Sequence, residues 1–284
     1  MSARRPHQGQ QLELFYARSG DIAARDTQDL MSWPFFSLAK ARRIKPIDFR
    51  MGPTAIRVEA TAEHGMATIW DADILIWAAS QIVDARDHGL LTSRHMIATP
   101  HEILAFIGRG TSAREYHLLK SAFDRLQSTT VATTIRQTNE RRMHRFSWIN
   151  EWKERADEKG RPLGIEMVLP DWFYAGVMTD AFVLTIDRSY FDLMGGIERW
   201  LYRLVRKHGG RQAHGWSFHL RHLYLKSGCL SPYKRFAFDI RDIVRRQPLP
   251  GYRLALGQDR NGEPLLSFKT NVARPRRAIA GDNL

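Results

Sequence analysis

Residues 99–136 place the strongest constraint on the fold, because each boundary within them has a chemical cause. Thr99 and Glu102 have the spacing of a capping box, in which each side chain accepts a hydrogen bond from the other residue's backbone N–H. Pro100 occupies the first helical position, where its missing N–H is not needed. Gly108 readily takes the left-handed conformation that ends a helix. The sequence therefore predicts a short helix over residues 100–107.

A second helix is predicted to begin after a short turn, because Ser112 and Glu115 repeat the capping-box spacing. Apolar residues then recur at intervals of three and four, which places them on one helical face: Tyr116, Leu119, Phe123 and Leu126. The residues off this stripe are mostly basic. A short helix, a turn and a longer helix with a basic outer face are typical of a helix–turn–helix.

The segment after this second helix predicts a β-hairpin. Residues 129–135 alternate as a strand, residues 137–142 form a polar, arginine-rich loop, and residues 143–148 provide the returning strand. A helix–turn–helix followed by a hairpin describes a winged helix. From this stretch alone, a small α+β core with a solvated basic rim is the alternative.

The net charge indicates the kind of partner. The chain has 284 residues, of which 43% are hydrophobic, and a formal net charge of +13, which favours a polyanion such as nucleic acid or an anionic membrane surface. The apolar run at residues 74–79 is far shorter than the roughly 20 residues that span a bilayer. Cys229 is the single cysteine, so no internal disulfide can form. We therefore expect a cytoplasmic protein with no membrane partner.

The second half of the chain repeats the order of the first. A long amphipathic pattern over residues 187–208 precedes a short predicted helix over residues 217–226, which ends at Gly228. A longer helix is predicted from Ser231 and Pro232 to Arg246, followed by a hairpin that turns at residues 259–262. This order predicts a second winged helix.

The predicted fold class is α+β, with two winged-helix domains in tandem. The polar segment 153–164 contains a Pro and Gly pair and is the expected domain boundary. The predicted organisation is a flexible N-terminal arm at 1–28, a first domain at 29–155, a second domain at 165–270 and a disordered basic tail at 271–284.

The candidate DNA contacts are cations on the two longer helices and the two hairpins. Residues 199–253 contain 13 Lys and Arg against two acids, so the second helix is the stronger candidate. Arginine can contact guanine edges bidentately, whereas the other cations would hold phosphates. The first domain contributes Arg114, His117, Lys120, Arg125, Arg136, Arg141 and Arg142. The second contributes Lys234, Arg235, Arg241, Arg245, Arg246, Arg253 and Arg260.

Two motifs resemble the plasmid replication initiator protein A family, which belongs with the two-winged-helix plasmid initiators. TPHEILAFIGRGTSAREYHLLKSAFDRL at residues 99–126 is similar to that family's first helix–turn–helix. LYLKSGCLSPYKRFAFDIRDIVRRQPLPGYRLAL at residues 223–256 is similar to its second recognition helix and wing. The resemblance covers residues 33–268. It implies binding of double-stranded DNA at directly repeated origin sites (iterons), origin opening, recruitment of the host initiator and replicative helicase, and a homodimer that represses its own promoter.

Two other function classes share features with this sequence. A winged-helix transcriptional regulator would use the same DNA-binding elements without an initiator role. A DNA strand-transfer enzyme is raised by the segment His219–His222, with Tyr252 as nucleophile, but Phe218 stands where the tyrosine-recombinase motif needs histidine. Four side chains could in principle hold zinc but lack finger spacing: His214, His219, His222 and Cys229. The chain also lacks a phosphate-binding G-x-x-x-x-G-K-[ST] loop. We therefore expect a non-enzyme without catalytic residues, metal or cofactor.

Overall fold

The computed structural model describes residues 14–137, 142–159, 162–179, 182–210 and 215–271. Within these ranges the fold is α+β, with helices packed against four β-sheets. One cluster of buried apolar side chains extends through both halves of the chain. No helix in these ranges is both long enough and apolar enough to cross a lipid bilayer.

The N-terminal part begins with short strands that pack on the rest of the protein. Its elements are β1 (Leu14–Tyr16), β2 (Arg25–Thr27), α1 (Gln28–Ser32), β3 (Ile47–Met51), β4 (Thr54–Glu59), α2 (Ala72–Asp87) and β5 (His95–Ala98). Strand β1 pairs in parallel with β5, and Phe15 and Ile22 are buried. The expectation of a flexible arm over residues 1–28 is therefore wrong for residues 14–28, because three-residue strands leave no detectable periodicity. Residues 1–13 lie outside the described ranges.

The first helix–turn–helix begins and ends where the capping residues predict. Helix α3 spans Pro100–Phe106 and α4 spans Ala113–Ser128. The Thr99 hydroxyl accepts from the Glu102 backbone N–H at 3.2 Å, and the Glu102 carboxylate accepts from the Thr99 N–H at 2.7 Å. Gly108 has a φ of 68°, in the left-handed region. Of the predicted apolar stripe of α4, Tyr116 is partly buried and three residues are fully buried: Leu119, Phe123 and Leu126.

A β-hairpin follows α4, as expected. Strands β6 (Thr130–Thr133) and β7 (His144–Ser147) pair in antiparallel fashion. They extend β3 and β4 into a four-stranded sheet with the order β3-β4-β6-β7. Residues 138–141 of the intervening loop lie outside the described ranges.

The described part of the polar segment 153–164 belongs largely to two paired strands rather than to a linker. Strands β8 (Glu151–Ala156) and β9 (Pro162–Val168) pair with each other, and β9 also pairs with β5. The sheet order β1-β5-β9-β8 therefore continues across the expected domain boundary. The segment is polar because Lys153 and Arg155 form ion pairs with Glu166 on the neighbouring strand.

Two more elements lie between the halves. Helix α5 (Asp171–Met178) is followed by β10 (Val183–Thr185), which pairs with β2. A 3₁₀ turn at Arg188–Asp192 then precedes α6 (Gly196–Gly209). The long amphipathic pattern over residues 187–208 is thus divided between this 3₁₀ turn and α6. Gly196 lies so close to the backbone that a Cβ atom there would be 2.0 Å from the Leu38 carbonyl oxygen.

The second helix–turn–helix packs on α6. Its helices are α7 (Leu220–Ser227) and α8 (Tyr233–Arg246). The strands around them are β11 (Trp216–His219), β12 (Tyr252–Gln258) and β13 (Pro264–Thr270). The strands form a sheet with the order β11-β13-β12. The predicted helix over residues 217–226 begins three residues late, because Trp216–His219 pairs with β13. Gly228 ends α7 with a φ of 60°.

Candidate nucleic-acid interface

Helix α8 has an exposed basic face directly opposite its buried face. Its buried residues are Phe236, Ala237, Ile240 and Ile243. On the other side lie Lys234, Phe238, Arg241 and Arg245, all exposed, which we call the outer face of α8. Their spacings of four, three and four keep them within an arc of about 60°, because each residue turns a helix by about 100°. A long, exposed, cationic surface of this kind can lie along a nucleic-acid groove.

The two carboxylates of α8 lie on one flank of the helix and are neutralised there. Asp239 is 3.1 Å from Arg235 Nε. Asp242 accepts hydrogen bonds first from Arg246 and then from Arg245, and these bonds lower the pKa of Asp242. Arg246 also lies 2.5 Å from Glu198 of α6. The ion pairs of α8 in the described ranges thus involve neither Lys234 nor Arg241, which leaves both cations available to an anionic partner.

The hairpin after α8 has a turn that is held by one side chain. Asp259 Oδ1 accepts from the backbone N–H groups of Asn261 and Glu263, both at 2.8 Å, and Oδ2 lies 3.0 Å from His219 Nε2. The hydrogen bond from His219, followed by that from the Glu263 backbone, lowers the pKa of Asp259. This hairpin carries three exposed cations, two of which were predicted from the sequence, Arg253 and Arg260; the third is Lys269. Arg260 therefore lies in an ordered turn, whereas Arg253 lies on strand β12.

Helix α4 uses its cations differently. Lys120 Nζ is 2.6 Å from Glu154 of β8. Arg125 donates from Nε and Nη2 to the buried carboxylate of Asp71, at 2.8 and 2.7 Å. The arginine fork of Arg125 is therefore occupied and cannot also grip a base bidentately. The exposed candidates on this helix are Arg114 and His117.

The structure contradicts the prediction that Arg136 contacts DNA. Its Nε donates to Asp29 at 2.7 Å, its Nη1 donates to the Trp172 carbonyl at 2.6 Å, and its guanidinium stacks 4.0 Å from the Trp172 ring centroid. Its side chain is only 17% exposed, so it connects α1 to α5 and does not face solvent as a DNA contact would. Arg141 lies outside the described ranges, and Arg142 is exposed at their edge.

A cleft beside α4 contains cations that were not among the sequence-based candidates. We call it the cationic cleft, and the cations that line it are Lys40, Arg42, Arg109, Arg114 and Arg125. Asp71 and Glu115 also line it, but Asp71 is neutralised by Arg125. Lys40 lies 5.2 Å from the centre of the Trp70 ring. The run of cations near residue 40 was visible in the sequence, but no spacing links it to a helix about 70 residues away.

The residues of the strand-transfer hypothesis do not form an accessible site. Tyr252 is 6% exposed and its ring lies 6.2 Å from that of Tyr202. Burial raises the pKa of Tyr252, which disfavours the phenolate nucleophile. Across the described ranges no three His, Cys, Asp or Glu side chains are grouped so that they could hold a metal ion, and His214 lies outside those ranges.

Comparison with known proteins identifies the family. The model of the family described as replication initiator protein A matches residues 25–254. The chain belongs to the replication initiator protein A family. A "Putative replication protein" of Wigglesworthia glossinidia brevipalpis is 31% identical over 229 residues, which is 79% of this chain and 82% of that protein. Membership in this family associates the protein with the initiation of DNA replication.

Solved structures share the fold of this family member. A selenomethionine derivative of domains 2 and 3 of RctB aligns with a TM-score of 0.61 and 16% identity, covering 87% of this chain and 99% of that one. A second crystal structure of RctB domains 2–3 aligns with a TM-score of 0.54 and 15% identity, covering 83% and 94%. At these identities the likeness concerns the fold alone.

Proposed function

We propose that this protein initiates plasmid replication by binding directly repeated origin sequences through two winged-helix domains in tandem. Three observations support the proposal. The chain belongs to the replication initiator protein A family, and its fold resembles structures described as two domains of RctB. The order of short helix, turn, longer helix and hairpin occurs twice.

The observation that carries the proposal is the outer face of α8. It combines exposure with two cations, Lys234 and Arg241, that have no carboxylate partner in the described ranges. A helix of this form can enter the major groove, where arginine contacts guanine edges and lysine contacts phosphates or guanine. The wing cations Arg253 and Arg260 would then reach the flanking backbone.

The first helix–turn–helix would add mainly positioning contacts. Arg114 and His117 are exposed on α4, and the cationic cleft extends the positive surface to Lys40 and Arg42. Phosphates flank a major groove on both sides of an inserted helix, so cations beside α4 would fix its register. The proposal therefore assigns base reading chiefly to α8 and backbone binding chiefly to the surface around α4.

Origin opening would depend on binding energy and DNA deformation, because the sequence has no nucleotide-binding loop of the G-x-x-x-x-G-K-[ST] type. Strand separation by a helicase would belong to partner proteins. We propose the host initiator and the replicative helicase as those partners, and a homodimer as the form that represses its own promoter.

Footprinting of the purified protein on its native replicon, at about 150 mM salt, tests the proposal, since non-specific electrostatic binding is weakened at that ionic strength. Protection of several evenly spaced direct repeats is the expected result. Absence of any protected sequence would contradict the DNA-binding assignment.

A winged-helix transcriptional regulator is the second candidate, because its DNA-binding elements would be the same. The same footprint separates the two functions. A single inverted repeat over a promoter would support the regulator and would remove the initiator role.

A further inference from the structure

Phe238 is an apolar side chain in the middle of a basic surface. It is 58% exposed, one turn after Lys234 and one turn before Arg241 on the outer face of α8. The core of this helix has its own aromatic residue: Phe236 is fully buried and packs against Trp200 and Tyr224. The fold therefore does not need a second large ring at position 238.

The neighbours of Phe238 do not cover its ring. The ring lies 5.2 Å from the guanidinium of Arg235, an arginine that also pairs with Asp239. More than half of the side chain is exposed, and Phe238 lies between Lys234 and Arg241 along the outer face of α8. Lys234 and Arg241 attract anionic partners, so we expect the partner that covers Phe238 to be negatively charged.

Double-stranded DNA offers one apolar group at this depth. In the major groove, every base pair presents hydrogen-bonding groups, and thymine additionally presents its 5-methyl group. This methyl group projects into the groove and makes apolar contacts with side chains such as phenylalanine. If Lys234 and Arg241 contact the DNA, the ring between them faces the base edges and not the phosphates.

We propose that Phe238 is a specificity-determining residue that binds the 5-methyl group of a thymine in the major groove. This inference rests on the proposed function, because it requires that α8 enter that groove. The contact would select thymine at the base pair that faces Phe238. The neighbouring cations would not distinguish thymine from other bases at that base pair.

The test replaces thymine by deoxyuridine, one position at a time, in the sequence protected by the full-length protein. Each replacement removes one methyl group and leaves Watson–Crick pairing unchanged. We expect wild-type affinity to fall about fourfold at one or two positions, the effect of losing burial of a methylene-sized group. The Phe238→Ala variant should bind thymine and deoxyuridine duplexes equally at those positions, whereas Phe238→Leu should retain part of the discrimination.

Leu91→Ala is the matched control, because Leu91 is 82% exposed and belongs to the loop between α2 and β5 rather than to α8. It should keep the wild-type pattern. Phe238 lies on the surface of a helix, so its replacement by alanine should leave the fold intact, which circular dichroism can check.

Three outcomes would overturn the inference. If Phe238→Ala keeps the same thymine preference at every position, another residue contacts the methyl group. If the variant changes only the oligomeric state in sedimentation, Phe238 belongs to an interface between two copies of the chain. If wild-type protein protects no sequence at all, the proposed function fails first and the inference fails with it.

Discussion

Helices α4 and α8 occupy equivalent places in the two helix–turn–helix segments, but their cations have different partners. Around α4, Arg125 is held by Asp71, Arg109 of the preceding turn is held by Asp73, and Lys120 reaches Glu154. On α8, the ion pairs lie along one flank, and Lys234 and Arg241 take no part in them. Basic composition is therefore a poor measure of the charge that a helix offers to DNA.

The carboxylates at the N-terminus of α2 explain the difference. Asp71 and Asp73 are 2% and 0% exposed, and each is placed where arginines from elsewhere in the chain can reach it. Arg199 of α6 donates from Nη1 to both oxygens of Asp73 at 2.8 Å, and Arg109 lies 3.1 Å away. The same carboxyl group thus connects α2, the first helix–turn–helix and α6. Around α4, Arg109 and Arg125 stabilise the fold, whereas on α8 Arg241 remains available for binding.

The largest expected effect is that of removing the charge of Asp73. Asp73→Asn leaves the buried Arg199 without its carboxylate partner, and loss of one member of a buried pair costs about 3–5 kcal/mol of folding free energy. Urea unfolding followed by circular dichroism measures this change. Asp242→Asn on α8 is the matched control and should shift the midpoint far less, because Asp242 pairs at the surface. Equal shifts would contradict the contrast between the two helices.

The next effect concerns DNA affinity. Lys234→Ala or Arg241→Ala should weaken specific binding by about 1–3 kcal/mol if the residue contacts a base edge, without lowering the stability of the fold. Arg235→Ala on the same helix is the control and should cost less, because this arginine is already paired with Asp239. Fluorescence anisotropy on the footprinted sequence gives both values. If affinity is unchanged for both Lys234 and Arg241 variants, α8 is not the reader.

A smaller effect sharpens the comparison through pH. Lys226 of α7 is 5% exposed, lies 3.8 Å from the Trp33 ring centre and has no carboxylate partner in the described ranges, unlike Arg109 and Arg125. Burial, followed by the charge of Lys207, lowers the pKa of Lys226 from 10.5 to about 8. Between these pH values the unfolded chain binds more protons, so this lysine makes the free energy of unfolding rise with pH.

Lys226→Met removes that titration and keeps the apolar contact with Trp33. We expect the variant to be more stable than wild type by about 1 kcal/mol near pH 7, and the gain to shrink as pH rises from about 8 to 10.5. Urea titrations of both proteins at several pH values measure the difference in their free energies of unfolding. The contributions of the other titratable groups cancel in this difference. Lys45→Met, at an exposed position, should show no such dependence. A gain that is constant with pH would contradict the assignment.

The two helix–turn–helix segments could be predicted from local sequence chemistry, whereas the pairing of segments distant in sequence could not. The capping residues of α3 and the φ > 0 glycine at position 108 act within a few residues, so their pattern is visible in the chain. The pairing of β1 with β5 joins segments about 80 residues apart and leaves no local trace. Arg136 shows the same limit at the level of one side chain. Its place in an arginine-rich loop predicts a DNA contact, but its partners Asp29 and Trp172 are distant in sequence.

The smallest effect tests whether the surface beside α4 binds phosphates. Arg114 is exposed at the edge of the cationic cleft, has no carboxylate partner among the described residues, and is not part of the buried ion pairs. Arg114→Ala should weaken binding to all DNA sequences alike and lower the slope of log affinity against log salt by about 1, because one phosphate contact releases about one counterion. Lys120→Ala should change the slope less, since Lys120 is paired with Glu154. Anisotropy titrations from about 50 to 200 mM salt give both slopes. A loss of affinity confined to one sequence would instead make Arg114 a base reader and would remove the division of roles between the two helices.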